Sequence, residues 1–195
     1  MCDWIFNNDV LFRDKSVCEL GCGLGAVSIL LAKLNVARQI IATDGDDDTI
    51  DLLNENIVSS GCVDQIVGHK LWWGATEAKT FLSQGYSEGG GFDVLIAADV
   101  IYEEEQIVPL IESSIALMKK GTYSITNNQL PITSCYCVAV DTGVTYLSFF
   151  PRNVPLDKVI AVAESHSLSW EELTYAWSVK RAGSKLERLV KLYFA

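Results

Sequence analysis
At 195 residues the chain suits one domain, with room for a core that needs neither disulfides nor metal. Hydrophobic residues make up 49% and charged residues 21%, globular proportions that exclude a disordered chain. The net charge of −10 argues against non-specific nucleic-acid binding, which works by neutralising phosphates, and the apolar runs fall far short of the ~20 residues a membrane helix needs.

Trp4, Ile5 and Phe6 predict the tail of a helix that Asn7-Asn8 can end. Val17, Cys18 and Leu20 then read as the end of a short buried strand. After it Val27, Leu30, Leu31 and Leu34 recur at i, i+3, i+4 and i+7, one face of an amphipathic helix. Between strand and helix lies Glu19-Leu20-Gly21-Cys22-Gly23-Leu24-Gly25. Glycines permit positive φ and let a ligand approach the backbone closely, while the helix start offers unpaired N–H groups. Asp44 closes a second apolar run, Ile40 to Thr43. An acid at the end of the next strand, about 20 residues on, suits a ribose with free hydroxyls. Two cofactors fit this pattern. Gly21-x-Gly23-x-x-Ala26 matches the dinucleotide fingerprint of NAD, and Glu19-x-Gly21-x-Gly23-x-Gly25 matches the tighter loop of S-adenosylmethionine (AdoMet) enzymes.

Asp46, Asp47 and Asp48 sit where the next helix begins, with negative charge favourable at that end of the macrodipole. Ile50, Leu53 and Ile57 mark its buried face, and Gly61 stops it. Ile66 and Val67 predict a third strand running towards Leu71, Trp72 and Trp73, ended by Gly74. Residues 75 to 91 are mixed, with Gly89-Gly90-Gly91 marking a loop. Phe92 to Ala98 is the clearest buried strand, a continuous apolar run of the kind parallel sheets use. Asp99 and Tyr102 follow at its carboxyl end, where open α/β sheets place their ligands. A helix bearing Ile107, Leu110, Ile111, Ile115 and Met118 comes next, with Pro109 requiring a start nearby or a kink. Residues 122 to 143 are β-prone without a clear period. Thr145, Leu147 and Phe149 alternate as a strand, Pro155 opens a helix, and a closing hairpin joins Trp170–Leu173 to Leu189–Phe194. Together these predict an α/β sheet with an antiparallel closing hairpin.

The six cysteines include no C-x-x-C pair, only Cys135-x-Cys137 and Cys18-x-x-x-Cys22, and the histidines are His69 and His166. That spacing suits reduced thiols better than disulfides or metal ligation, and no metal is expected. Met1-Cys2-Asp3 opens no signal peptide, so cytoplasm or nucleus is the expected location.

Glu19 to Gly25, the Thr43-Asp44-Gly45 turn, the Trp73-Gly74 pair and Ala98-Asp99-Val100-Ile101-Tyr102 resemble the seven-β-strand AdoMet-dependent protein-lysine methyltransferases. The resemblance runs from about residue 5 to the carboxyl terminus. It implies a Rossmann-like class I methyltransferase fold, a seven-stranded mostly parallel sheet in order 3-2-1-4-5-7-6 with helices on both faces. It also implies one methyltransferase domain over residues 1–195, monomeric, lacking the amino-terminal helix whose tryptophan contacts the cofactor in relatives; Trp4 lies too close to Glu19 for that place. AdoMet is then the cofactor. Glu19, Gly21, Cys22, Gly23 and Gly25 supply its loop, Asp44 its ribose contact, Trp73 its adenine neighbour and Ala98 a pocket wall. Asp99 and Tyr102 border the opening for a substrate lysine, carried by a protein such as a translation factor or chaperone. Three readings compete with this one: an NAD(P)-binding oxidoreductase, for which no Tyr-x-x-x-Lys is present, AdoMet-dependent methylation of a small molecule, and a non-catalytic AdoMet-binding domain.

Overall fold
A computed structural model describes residues 1–87, 89–120, 122–124, 138–140, 142–149, 153–173 and 188–194. In chain order the elements are α1 (Cys2–Asn7), β1 (Ser16–Leu20), α2 (Ala26–Leu34), β2 (Gln39–Asp44), α3 (Asp47–Ser60), β3 (Ile66–Lys70) and α4 (Ala75–Ser83). There follow β4 (Val94–Ala98), α5 (Ile107–Leu117), β5 (Thr122–Ser124), β6 (Val138–Val140), β7 (Val144–Phe149), α6 (Leu156–Ser165), β8 (Leu168–Glu172) and β9 (Arg188–Phe194).

Seven strands form one sheet in the order β3-β2-β1-β4-β7-β9-β8. Counted along the chain, that is the expected 3-2-1-4-5-7-6. Strands β3, β2, β1, β4 and β7 run parallel, and β9 is antiparallel to both its neighbours. β5 and β6 pair antiparallel outside this sheet. The Cys135-x-Cys137 pair and Ile125 lie outside the described residues.

The strands are apolar on both sides because helices cover both faces. Cys18, Leu20, Ile41, Leu95, Ala97, Leu147 and Leu192 face one core, packed by Ala78 and Phe81 of α4 and by α5 and α6. Val17, Ile40, Ala42, Val94, Ile96 and Leu189 alternate with them into a second core, filled by Trp4 and Ile5 of α1, by α2, and by Leu53 and Ile57 of α3. A chain that leaves β1 towards β2 and later returns to β4 on its other side opens a crevice at the strands' carboxyl ends. Among the described residues no helix is long and apolar enough to cross a membrane.

Two local readings change. The third strand ends at Lys70, so Leu71, Trp72 and Trp73 lie beyond it; Leu71 donates its N–H to the Asp44 carbonyl at 2.8 Å, which holds the chain to β2. The mixed segment after Gly74 contains α4, a two-turn helix whose buried side chains are Ala78 and Phe81. Pro109 sits in the first turn of α5, where its missing N–H has no helical partner to lose.

At the opposite end of the sheet Asp93 locks β1 to β4. Its carboxylate accepts hydrogen bonds from the Ser16 N–H and hydroxyl, both at 2.9 Å, and from Lys119 Nζ at 3.2 Å, with Arg38 Nη2 3.6 Å away. Burial alone raises this carboxyl's pKa, but the Ser16 bonds and Lys119 outweigh it and hold it below its ordinary value. A depressed native pKa gives stability that is present above the unfolded value of about 3.9 and is lost as pH falls through the native one. Asp93→Ala is therefore expected to cost about 2 kcal/mol at neutral pH and to shrink that loss on acidification. Urea melts across pH 2 to 7 measure both.

Candidate active site at the carboxyl edge of the sheet
The glycine loop is held between Val100 and Trp73, Leu53 of α3, and Thr43 and Asp44 at the end of β2. Gly21 has φ +68°, and a Cβ there would lie 2.8 Å from Val100 Cγ1 and 3.1 Å from Trp73 Cζ2. Gly25, the N-cap of α2, lets that helix meet α3: a Cβ would come within 2.3 Å of Leu53 Cδ1. At Gly23 a Cβ would meet nothing within 4 Å, so the loop's middle is open on that side. Cys22 donates its N–H to the Thr43 carbonyl at 2.8 Å. The Gly23 N–H donates to Asp44 Oδ2 at 3.0 Å and the Asp46 N–H to Asp44 Oδ1 at 3.2 Å. A carboxylate has about four acceptor sites, so both oxygens of Asp44 retain capacity for a ligand's hydroxyls.

Across the crevice, β4 ends in a sharp turn. Asp99 has φ +57°, a left-handed conformation that Asp tolerates better than most residues, and its N–H donates to the Ser148 carbonyl of β7 at 2.6 Å. Val100 and Ile101 are buried, which turns Tyr102 outward to 51% exposure. Gln106 Oε1 then accepts from the Tyr102 N–H at 2.7 Å and the Glu103 N–H at 3.0 Å. The acidic run Glu103-Glu104-Glu105 after Tyr102 divides its labour. Glu103 caps the turn Glu104–Gln106, Glu104 pairs with Lys158, and Glu105 lines the crevice. The third wall is the Trp73-Gly74 turn, fixed when the Gly74 N–H donates to Ser113 Oγ of α5 at 2.7 Å.

These pieces enclose a crevice of about 710 Å³. Of the residues singled out in the sequence, Gly21, Cys22, Gly23, Asp44, Trp73, Ala98, Asp99 and Tyr102 line it. Glu19 and Gly25 do not; they stand behind the loop. Glu19 is 2% exposed, and one carboxylate oxygen accepts from both the Ser28 N–H and the Ser28 hydroxyl in the first turn of α2. It thus caps the helix start from the neighbouring strand, satisfying an N–H that the helix itself leaves unpaired. Sequence reasoning missed Gly45, Asp46 and Trp72 as lining residues, and Ser28 and Ser113 as braces; Glu105 comes from the acidic run Glu103 to Glu105, which the sequence offers as a draw for a substrate cation. A nucleoside cofactor fits this donor set: open glycine backbone, a carboxylate for vicinal hydroxyls and an aromatic wall. The Cys22 thiol is pushed up by burial and by the charges of Glu19 and Asp44, so it is a neutral wall and not a nucleophile.

The lysine methyltransferase family profile matches residues 4–129. Protein-lysine N-methyltransferase EFM3 of Chaetomium thermophilum is 32% identical over 106 residues, 53% of this chain and 31% of that protein. Protein N-terminal and lysine N-methyltransferase efm7 of Neurospora crassa is 30% identical over 119 residues, 55% of this chain and 42% of that protein. The chain thus spans less than half the length of these curated relatives. Among solved structures, the O-methyltransferase of Bacillus cereus in complex with SAH superposes with a TM-score of 0.61 at 12% identity, covering 100% of this chain and 80% of that one, a likeness of fold.

Burial drives the Glu19 carboxyl up to about 7; the Ser28 bonds oppose the shift and the nearby Asp44 charge adds to it. A raised native pKa means stability that is complete below the unfolded value and lost as pH rises through the native one. Stability of the wild type is expected to carry a falling component between about pH 4.5 and 7. Glu19→Gln, neutral at every pH, is expected to remove that component while keeping the Ser28 bonds; denaturant midpoints against pH test this.

Proposed function
We propose an activity on one premise: the chain belongs to the lysine methyltransferase family. It transfers a methyl group from AdoMet to the ε-amine of a lysine on a protein substrate. The observation that carries this reading is the meeting of glycine loop, ribose acid and the Asp99/Tyr102 pair in one crevice.

When bound, AdoMet supplies a methyl on a sulfonium, a leaving group that needs no acid to depart. The work left to the chain is binding, orientation and exclusion of water. In this reading the backbone of Gly21, Cys22 and Gly23 surrounds the methionine part, Asp44 takes the ribose hydroxyls, and Ala98 closes the wall. Asp99 and Tyr102 border the opening through which the lysine reaches the methyl. The lysine must attack as the neutral amine. From a pKa of about 10.4, deprotonation at pH 7 costs roughly 4.6 kcal/mol. Asp99 and Glu105 draw the cation in but also hold its proton, so they raise local concentration more than they lower that cost. A ring at Tyr102, fixed through its backbone by Gln106, orients the nitrogen. Water at the open mouth takes the proton, and no side chain is assigned as base. A protein substrate suits an exposed mouth rimmed by acids, and cytoplasm or nucleus is where we place the reaction.

Incubation of the chain with labelled AdoMet and a protein lysate tests this. The wild type is expected to label protein lysines. Asp44→Ala is expected to weaken AdoMet binding at least about tenfold, by removing charge-assisted hydrogen bonds. Asp99→Ala is expected to reduce labelling while leaving AdoMet binding near the wild-type value. Labelling unaltered by both substitutions contradicts the residue roles.

A further inference from the structure
The acidic turn after Tyr102 stands between two hollows. On one side is the crevice, lined by Glu105 and Gln106. On the other, Glu104 pairs with Lys158 of α6, and beyond that pair α6 and β8 enclose a second hollow of about 670 Å³. Strand register puts both at one end of the sheet. Ala98, a crevice wall, pairs with Ser148, and the next residue of β7, Phe149, pairs with Arg188, a wall of the second hollow. Two strand spacings separate β4 from β9, roughly 10 Å or about three residues of extended chain. The two hollows also share one helical layer: Pro109 of α5 lines the first and Ile160 of α6 the second, and both helices pack into the same core.

The second hollow has an apolar floor and acidic walls. Leu156, Ile160, Ala161 and Trp170 form the floor, and Trp170 is fixed by donating its indole N–H to Glu164 Oε1 at 2.9 Å. Asp157, Glu164 and Glu172 stand around it against one guanidinium among the described residues, Arg188, which Glu172 already takes through both oxygens. An indole left 38% exposed beside such a floor suits an apolar side chain. The two other carboxylates, Asp157 and Glu164, favour positive charge next to it. The crevice repeats that sign: Asp46, Asp99 and Glu105 line it, and no lysine or arginine does among the described residues. Resting on the lysine-methylation reading above, we propose that the second hollow docks the protein substrate. An extended segment places its acceptor lysine in the crevice, crosses the Glu104–Lys158 pair, and seats an apolar side chain with basic neighbours against Trp170 and Ile160. The substrate is then chosen by the chain on one side of its lysine, and an acidic segment is repelled at both ends.

Fluorescence anisotropy with labelled synthetic peptides, in the presence of SAH, tests this. Each peptide carries one lysine in a glycine–serine chain, with Leu-Arg-Arg or Gly-Glu-Glu beginning about three residues to either side of it. In one of the two directions the wild type is expected to bind the Leu-Arg-Arg peptide more than about fivefold tighter than its Gly-Glu-Glu counterpart, and to label it faster with labelled AdoMet. Ala161→Arg, at an exposed helix position, fills the hollow and opposes its charge. It is expected to erase the binding ratio, and its melting temperature checks the fold. Glu164→Gln keeps an acceptor for the Trp170 indole and is expected to weaken the Leu-Arg-Arg peptide about twofold at low salt. A wild type without the ratio, a ratio in binding without one in labelling, an Ala161→Arg chain that keeps the ratio, or a Glu164→Gln chain that binds as wild type does overturns the proposal. So does a wild-type dimer in sedimentation that Ala161→Arg dissociates, which would give the hollow to a second copy. A wild type that binds neither AdoMet nor SAH in calorimetry overturns the methylation reading instead, and the two failures are thereby distinct.

Discussion

The carboxylate of Asp44 joins two loops that sequence distance keeps apart. One oxygen accepts the Gly23 N–H of the glycine loop and the other the Asp46 N–H at the start of α3, while its backbone carbonyl accepts the Leu71 N–H beyond β3. Three loops, after β1, β2 and β3, are thereby fixed to one residue at the end of a central strand. The crevice walls depend on that fixing. Release of the carboxylate would free the Gly23 backbone and the start of α3 together, and the residues that line the opening would lose their common reference.

The sheet beneath supplies the rigidity. Each central strand sends alternate side chains into two separate cores, so neither face is free to shift without exposing apolar surface. Polar groups close the remaining gaps at the loop's base. Glu19 reaches from β1 to the first turn of α2, and Thr43 of β2 donates its hydroxyl to the Glu19 carbonyl at 2.7 Å. At the far end Asp93 performs the corresponding service between β1 and β4. Asp93 ties β1 to the start of β4 and Glu19 ties β1 to α2, the first carboxylate held ionised by its partners and the second pushed towards neutrality by burial.

Much of this was legible in the sequence, and the limits have physical reasons. The strands were readable because burial on both faces leaves a continuous apolar run, as in Val94 to Ala98. The glycine loop was readable because few residue types fit a positive φ, and Asp44 because an acid directly ends an apolar strand run. α4 was not, since two turns with two buried side chains leave almost no period, and its N-cap Gly74 carries no side chain to announce a start. Trp72 and Trp73 looked like strand residues because aromatics favour strands; the chain had already left the sheet at Lys70. Ser28 and Ser113 escaped notice because a serine on a helix reads as solvated, and only the fold puts a carboxylate or a backbone N–H opposite each. The run Glu103 to Glu105 is uniform in sequence, yet cap, ion pair and crevice divide it in space.

On the proposed function, the crevice at the carboxyl ends of β1, β2 and β4 seats an AdoMet-type nucleoside. A crystal structure of the chain grown with SAH measures this most directly. The account requires the ribose hydroxyls on Asp44, the amino-acid end along Gly21 to Gly23 and the sulfur turned towards Asp99 and Tyr102. Electron density for the ligand elsewhere on the chain, or in this crevice with its ribose away from Asp44, would contradict it.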